Sequence, residues 1–344
     1  MWRARLWLMR ESLVEVLRCP RCHAAASFAV EADERDAREI RRGLVRCREC
    51  GLECSIAGGI VDLLYEPPDF VVREVAGLGR FAEVMRADGW DRDRILALPH
   101  VQLEYWNEQA RAIRQVLATQ DFRAGERLLD VGANTCWASN ILAREGLEVV
   151  ALDIAATELQ GLRTADYFLD GGEVYFERVL SVMFAPALAD ASFDYVFCCE
   201  TMHHNHPENL RVTMRELHRI LRPGGRLLMV SEPLRFPLRL KRDHAAEVAE
   251  FEGHEHVYFL HQYWRAARGA GFRVGFPGVS ATADGLRRGD RDAPPPRGHL
   301  VPLKTFLRRH AAGRRVIRAY RIAYYWWKHL IIGDASCDMF CEKS

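Results

Sequence analysis

Lysine is almost missing from this chain. Of its 48 basic residues only Lys241, Lys304, Lys328 and Lys343 are lysines, so the positive charge is nearly all arginine. That bias reads as the codon usage of a GC-rich, bacterial genome, with selection for guanidinium contacts as the other reading. Net charge is scarce too: at +1 there is no overall field that demands a nucleic acid as partner. Long apolar runs are absent. "MWRARLWLMRES" at the N-terminus scatters charges through a very short apolar stretch and fails as a signal peptide or membrane span; no later stretch reaches spanning length without charge. The expected compartment is the cytoplasm. Ten cysteines there point to metal ligation and buried thiols rather than disulfides.

With 344 residues and 49% hydrophobic content, the chain has enough material for one large domain and a small one. The small one comes first. Cys19-Pro-Arg-Cys22 and Cys47-Arg-Glu-Cys50-Gly51 form two C-x-x-C knuckles with 24 residues between them. Four thiolates converging on one tetrahedral Zn²⁺ is the ordinary outcome of that pattern, and it leaves no open position for catalysis. Redox pairs and unliganded core cysteines are the competing reading. "DERDAREIRR", between the knuckles, predicts a charged helix, and Cys54 reads as a buried thiol.

"LVEVLRCPRC" and "LVRCRECGLECSIAGGIVDLL" resemble the small zinc-ribbon proteins that activate tRNA, rRNA and protein methyltransferases, over roughly the first 65 residues. Ser55-Ile56 stands where that family has Pro-Ile, and Val61 replaces its second proline. The resemblance implies a helper that shields an apolar surface of a catalytic partner, here within the same chain.

"YEPPDF" at 65–70 marks a boundary. Helical periodicity follows to about residue 120, with Val101, Tyr105, Ala112, Ile113, Val116 and Leu117 along one face. A cap over a cofactor and a plain packing helix both suit it. The expected domains are 1–66, 67–120 as connector, and 121–344, with a helical insertion at about 280–334.

From Phe122 onward strands and helices alternate. Strands are expected at Leu128–Val131, in "LEVVALDI", at Val174–Glu177, at Phe193–Glu200 and in "LRPGGRLLMVSEP", and helices near Ala138–Glu145 and Glu158–Tyr167. Near-continuous apolar strands imply a parallel sheet covered on both faces, with the ligand at the carboxyl ends of the first strands. "GFRVGF" and "CDMFCEK" predict a closing antiparallel pair. The fold class is therefore α/β, a Rossmann-like parallel sheet with a terminal antiparallel hairpin, plus the ribbon and the connector.

In "LLDVGANTCWASN" the loop keeps Gly132 but places Asn134 and Cys136 where a dinucleotide loop repeats glycine. Pyrophosphate needs those glycines; a phosphate-free cofactor does not. With Asp153 ending the next strand, Phe193-Asp194 and "LRPGG", the segment resembles the class I S-adenosylmethionine-dependent methyltransferases. The resemblance implies cofactor contacts from Asp130, Gly132, Ala133, Asn134, Asp153, Ile154, Val182, Met183 and Glu200. Val182 falls where the family often has an adenine-contacting aspartate, so the adenine amine must find backbone near Met183. Asn134 is expected to tolerate a left-handed backbone and to bond the methionine end.

In "ETMHHNHPENL", His203 and His204 lie where a neutral imidazole can take the acceptor's proton. Loop structure is the other role for them, and a metal site with His206 a third. Cys198 and Cys199 read as core. Val301–Gly333 holds eight Arg or Lys and no Asp or Glu, with Val316, Ile317, Tyr320, Ala323, Tyr324, Trp327 and Ile331 on one face. That suits a lid over an amphiphilic or anionic substrate, peripheral membrane contact, or a scaffold helix. The expected reaction is methyl transfer to an oxygen or nitrogen of a small-molecule or saccharide acceptor in a specialised biosynthetic pathway. A tRNA- or protein-modifying enzyme and a degenerate binding module remain as alternatives.

Overall fold

A computed structural model of the chain describes residues 11–235, 256–277, 310–327 and 336–344. Seven strands carry the second domain: β5 (Arg127–Val131), β6 (Glu148–Asp153), β7 (Glu177–Leu180), β8 (Phe193–Cys199), β9 (Leu221–Glu232), β10 (Phe272–Gly275) and β11 (Cys337–Lys343). Four more come first: β1 (Phe28–Arg35), β2 (Ile40–Cys47), β3 (Glu53–Ala57) and β4 (Ile60–Asp62). All eleven form one sheet in the order β1-β2-β3-β4-β7-β6-β5-β8-β9-β11-β10. The centre, β7-β6-β5-β8-β9, is parallel, and β11 and β10 close it antiparallel as the sequence predicts.

Successive residues of a central strand serve opposite faces, which is why those strands are apolar without alternation. Leu129 and Val131 pack with the ribbon, with α7 (Leu210–Ile220) and with α8 (Leu260–Gly269). Leu128, on the other face, packs with α2 (Asp69–Ala87), α3 (Arg92–Leu96), α4 (Glu104–Thr119) and α5 (Trp137–Arg144). Ala112, Ile113 and Val116 of α4 are buried, and burying each of the larger two is worth about 1.5–3 kcal/mol. Val101 and Leu117 are half-buried, and the Tyr105 side chain lies outside the described residues.

The ribbon is not a separate bead. Its strand β4 runs parallel to β7, pairing Ile60, Val61 and Asp62 with Arg178, Val179 and Leu180. Beyond α1 (Glu11–Val14) the chain docks again, Arg18 N donating to Ala187 O at 2.9 Å and Ala189 N to Val16 O at 2.8 Å. Between these attachments Arg178, fully buried, donates to Glu39 and Asp166 at 2.9 and 2.7 Å. Gly59 is required beside this pair. Its φ is +75°, and a Cβ there would lie 2.4 Å from Glu39 Oε2 and 2.5 Å from Arg178 Nη2.

Three expectations are corrected. "DERDAREIRR" is no helix: it ends β1, turns, and begins β2. The carboxylate of Asp36 accepts from the amides of Arg38 and Glu39 at 2.7 and 2.9 Å, so it builds a tight turn instead of continuing a helix. The strand expected at Val174–Glu177 starts at Glu177, because the ladder to β6 begins there and the one to β4 a residue later. Only short turns, Leu162–Ala165 and α6 (Asp166–Leu169), fill the helix expected at Glu158–Tyr167. Leu159 has φ +69°, and at Gly161 a Cβ would sit 2.5 Å from Ala155 O, so the chain doubles back there.

Part of the basic aromatic segment is helix α9 (Ala311–Trp327), which exposes Val316 and Tyr320. The side chains of Tyr324 and Trp327, and Ile331 altogether, lie outside the described residues, as does most of the expected 280–334 insertion. No helix among the described residues is long and apolar enough to cross a membrane.

Candidate cofactor and acceptor site

At the carboxyl end of β5 the backbone turns at Gly132, with φ +68°. A Cβ there would lie 2.4 Å from Thr201 Cγ2, so glycine is needed for both conformation and space. Asn134 and Cys136, the two glycine replacements, keep positive φ at +43° and +59°. The left-handed tolerance expected of Asn134 is there, and the loop retains a glycine-loop shape without the glycines. Such a backbone costs about 1–2 kcal/mol per residue outside glycine. Cys136 is fully buried and sits at the N-cap of α5, which helps to hold it in place. Nothing in the local sequence signals that.

Asp153, at the end of β6, ties the loop down. Its carboxylate accepts from Asn134 N at 2.8 Å, Ile154 N at 2.7 Å and Ala155 N at 3.0 Å. Burial raises its pKa and the charge of Glu74 adds to that, while the three amides pull the other way. Ala133 is buried with its amide on Leu152 O at 3.1 Å. Asn134 Nδ2 donates to Gln160 Oε1 at 3.0 Å, and Gln160 in turn reaches Met85 Sδ of α2. Asn134 Oδ1 is buried with no hydrogen-bond partner. Below the loop, Asp130 is buried and accepts from Ser139 Oγ at 2.5 Å; burial raises its carboxyl to about 7.

Val182 and Met183, both half-buried, come just after β7; the Ser181 amide between them and the strand donates to Asp153 O at 2.9 Å. Glu200 follows β8 with φ +51° and is half-buried. The short turn Met202–His204 comes next.

Glu232, unforeseen in the sequence, organises this turn from the end of β9. It is fully buried, and its carboxylate accepts from the amides of Thr201, Met202 and His203 at 2.7, 2.8 and 3.3 Å. His203 Nδ1 lies 3.1 Å from Glu232 Oε2. A carboxylate there holds the Nδ1–H tautomer and leaves Nε2 as the basic nitrogen. The motif "VSEP" held that information, a carboxylate ending an apolar strand, but only the sheet order brings it beside the histidines. His204 Nδ1 lies 3.5 Å from Glu74 Oε1 of α2, and the rings of His203 and His204 are 4.3 Å apart. Among the described residues the only metal-type cluster is the cysteine one, so His203, His204 and His206 are not brought together as a ligand set. Cys198 is core, as expected, whereas Cys199 is half-buried.

The Sγ atoms of Cys19, Cys22, Cys47 and Cys50 all lie within 4.8 Å of one another, with Cys19–Cys50 and Cys22–Cys47 at 3.6 Å. A tetrahedral Zn–S bond of about 2.3 Å implies sulfur–sulfur edges of about 3.8 Å, so the four fit one ion. Burial opposes ionisation of Cys47, but the Ser27 hydroxyl and the amides of Cys50 and Glu49 bring its thiol down to about 6. Cys54 is buried, and burial holds its thiol up at about 11.

Residues 129–229 match the family model described as a methyltransferase domain. The chain is 33% identical over 144 residues to the ubiquinone biosynthesis O-methyltransferase of Xanthomonas euvesicatoria, covering 41% of this chain and 54% of that one. It is 28% identical over 134 residues to the 27-O-demethylrifamycin SV methyltransferase of Amycolatopsis mediterranei, covering 36% and 48%. The chain thus spans about half the length of the curated relatives it matches. Among solved structures it is similar to the Haemonchus contortus phosphoethanolamine N-methyltransferase 2 in complex with S-adenosyl-L-methionine, with TM-score 0.46, 16% identity, and coverage of 76% of this chain and 59% of that one. It is also similar to the [4+2]-cyclase SpnF, with TM-score 0.47, 15% identity, and coverage of 78% and 96%. Residues 129–229, which carry β5 to β8 and most of β9, are thus similar in sequence to a methyltransferase domain.

Proposed function

We propose that the chain transfers a methyl group from S-adenosylmethionine to an oxygen of a small-molecule acceptor, with His203 as the base. The observation that carries this is the buried His203–Glu232 pair at the strand ends beside the Gly132–Asn134 loop. When bound, S-adenosylmethionine supplies an electrophilic methyl on a sulfonium. The residues suit it. Asn134 Oδ1 is a buried acceptor lacking a donor, which the methionine ammonium would provide. A carboxylate has about four acceptor positions, so Asp153, with three amides on it, keeps one for a ribose hydroxyl. Ala133, Ile154, Val182 and Met183 would hold the adenosyl part, and Glu200 would face the sulfonium side. His203 Nε2 takes the acceptor's proton while Glu232 holds the ring and stabilises the imidazolium that forms.

The four thiols would hold one structural Zn²⁺, whose binding is also folding free energy for the ribbon. Calorimetry with S-adenosylhomocysteine tests the cofactor reading: micromolar binding by the wild type, lost in Asp153→Ala, is expected. No binding by the wild type would remove the proposal. Elemental analysis should give about one zinc per chain, falling in Cys22→Ser.

A further inference from the structure

The histidine turn is covered by a helix that lies outside the matched segment. Phe70 and Glu74, one turn apart on α2, both reach it. The Phe70 ring centroid is 4.4 Å from that of His206 and 5.9 Å from that of Phe184. Glu74 is 3.5 Å from His204 Nδ1, and its charge also acts on Asp153. It therefore stands between the cofactor side and the histidine side of the site. His256 completes the group: its ring is 5.2 Å from His206, and its amide donates to His203 O at 2.8 Å. Phe70, Phe184, His206 and His256 are each half-buried. A group of half-buried rings thus adjoins two neighbouring imidazole–carboxylate pairs, His203–Glu232 and His204–Glu74.

We infer that Phe70 and Glu74 of α2 select the acceptor, and that the acceptor is a planar aromatic molecule bearing a polar group beside the methylated oxygen. This rests on the methyl-transfer reading above. The aromatic group takes the ring by offset or edge contact. His203 faces the reacting hydroxyl, and the His204–Glu74 pair hydrogen-bonds its neighbour. Specificity then resides in the connector, while the matched segment supplies the cofactor loop and the base.

The test pairs 1,2-dihydroxybenzene with cis-1,2-cyclohexanediol, which offers vicinal oxygens without the ring, and adds phenol, which lacks the second oxygen. Full-length protein is assayed with labelled S-adenosylmethionine. The aromatic diol should be methylated with kcat/KM at least about tenfold above the aliphatic one. Phe70→Ala should raise KM for both aromatic probes about tenfold, and Phe70→Tyr should restore it. Glu74→Gln should erase the preference for the diol over phenol. In both Phe70 variants the Kd for S-adenosylhomocysteine should stay near wild type, and in all three variants the thermal midpoint should, which separates acceptor binding from folding. Equal use of the two diols, no turnover of either aromatic probe, or variants with unchanged KM would overturn the inference while cofactor binding by the wild type leaves the methyl-transfer reading standing. Wild type that fails to bind S-adenosylhomocysteine would bring down that reading and this inference with it.

Discussion

Arg178 Nη2 donates to both carboxylate oxygens of Glu39 at 2.9 Å, across 139 residues of sequence and with both side chains closed off from water. One partner belongs to the four-cysteine ribbon and the other to the strand that ribbon pairs with. Without Glu39 the buried Arg178 guanidinium keeps only the partly exposed Asp166 as its partner, so Glu39→Ala should cost about 3 kcal/mol in urea unfolding. Glu39→Met with Arg178→Met should recover most of that loss. A single variant within about 0.5 kcal/mol of wild type would mean the pair is not holding the two parts together.

Gly132→Ala probes the cofactor loop. The added methyl meets Thr201 at 2.4 Å in a backbone with φ +68°, so the loop or the Thr201 turn has to move. Kd for S-adenosylhomocysteine should rise by about tenfold or more, with a smaller effect on the thermal midpoint. Unchanged affinity would place the cofactor away from this loop.

For His203→Ala, kcat should fall by about 10²–10⁴-fold with cofactor affinity kept, the signature of a lost proton acceptor. Glu232→Gln should lose stability as well, because its carboxylate also carries three backbone amides. Thermal midpoints and single-turnover rates on the same preparations distinguish the two. A His203→Ala enzyme with wild-type kcat would make the imidazole structural only.

The carboxyl of Asp130 makes stability depend on pH. Its pKa is raised to about 7 in the folded protein from an ordinary value near 3.8, by burial first. A raised folded pKa binds protons preferentially in the folded state. The resulting stability is full below the unfolded value and is lost as pH rises from about 4 through about 7. In Asp130→Asn that loss disappears, so the variant's thermal midpoint should gain on wild type as pH goes from 5 to about 8. A constant difference across that range would show that Asp130 does not titrate there.

Much of this was legible in the chain because one physical signal fixed each part. Buried strands such as Leu128–Val131 are apolar on both faces, and paired C-x-x-C knuckles have few uses. The errors came where a nearby residue overruled local composition. The charged run from Asp33 to Arg42 has helix-forming residues, yet Asp36 bonds two amides into a turn and the strand ladder claims what flanks it. Glu232 and Glu74 could not be tied to the histidines beforehand, since their meeting depends on sheet order and on where α2 lies. Cys136 was invisible for another reason: its left-handed backbone is imposed by the loop and opposed by its own side chain.

The addition of β4 to β7 also decides where the sheet ends. Without it, β7, with Val179 and Leu180 buried, would present unpaired backbone groups along an apolar rim, which invites other chains to pair. The rim is instead β1, where Glu31, Asp33, Glu34 and Arg35 stand in a strand whose last residues are mostly exposed. Charged side chains on an outermost strand discourage a further strand from docking. The ribbon therefore moves the open edge of the sheet outward by four strands and leaves it in a form that resists aggregation.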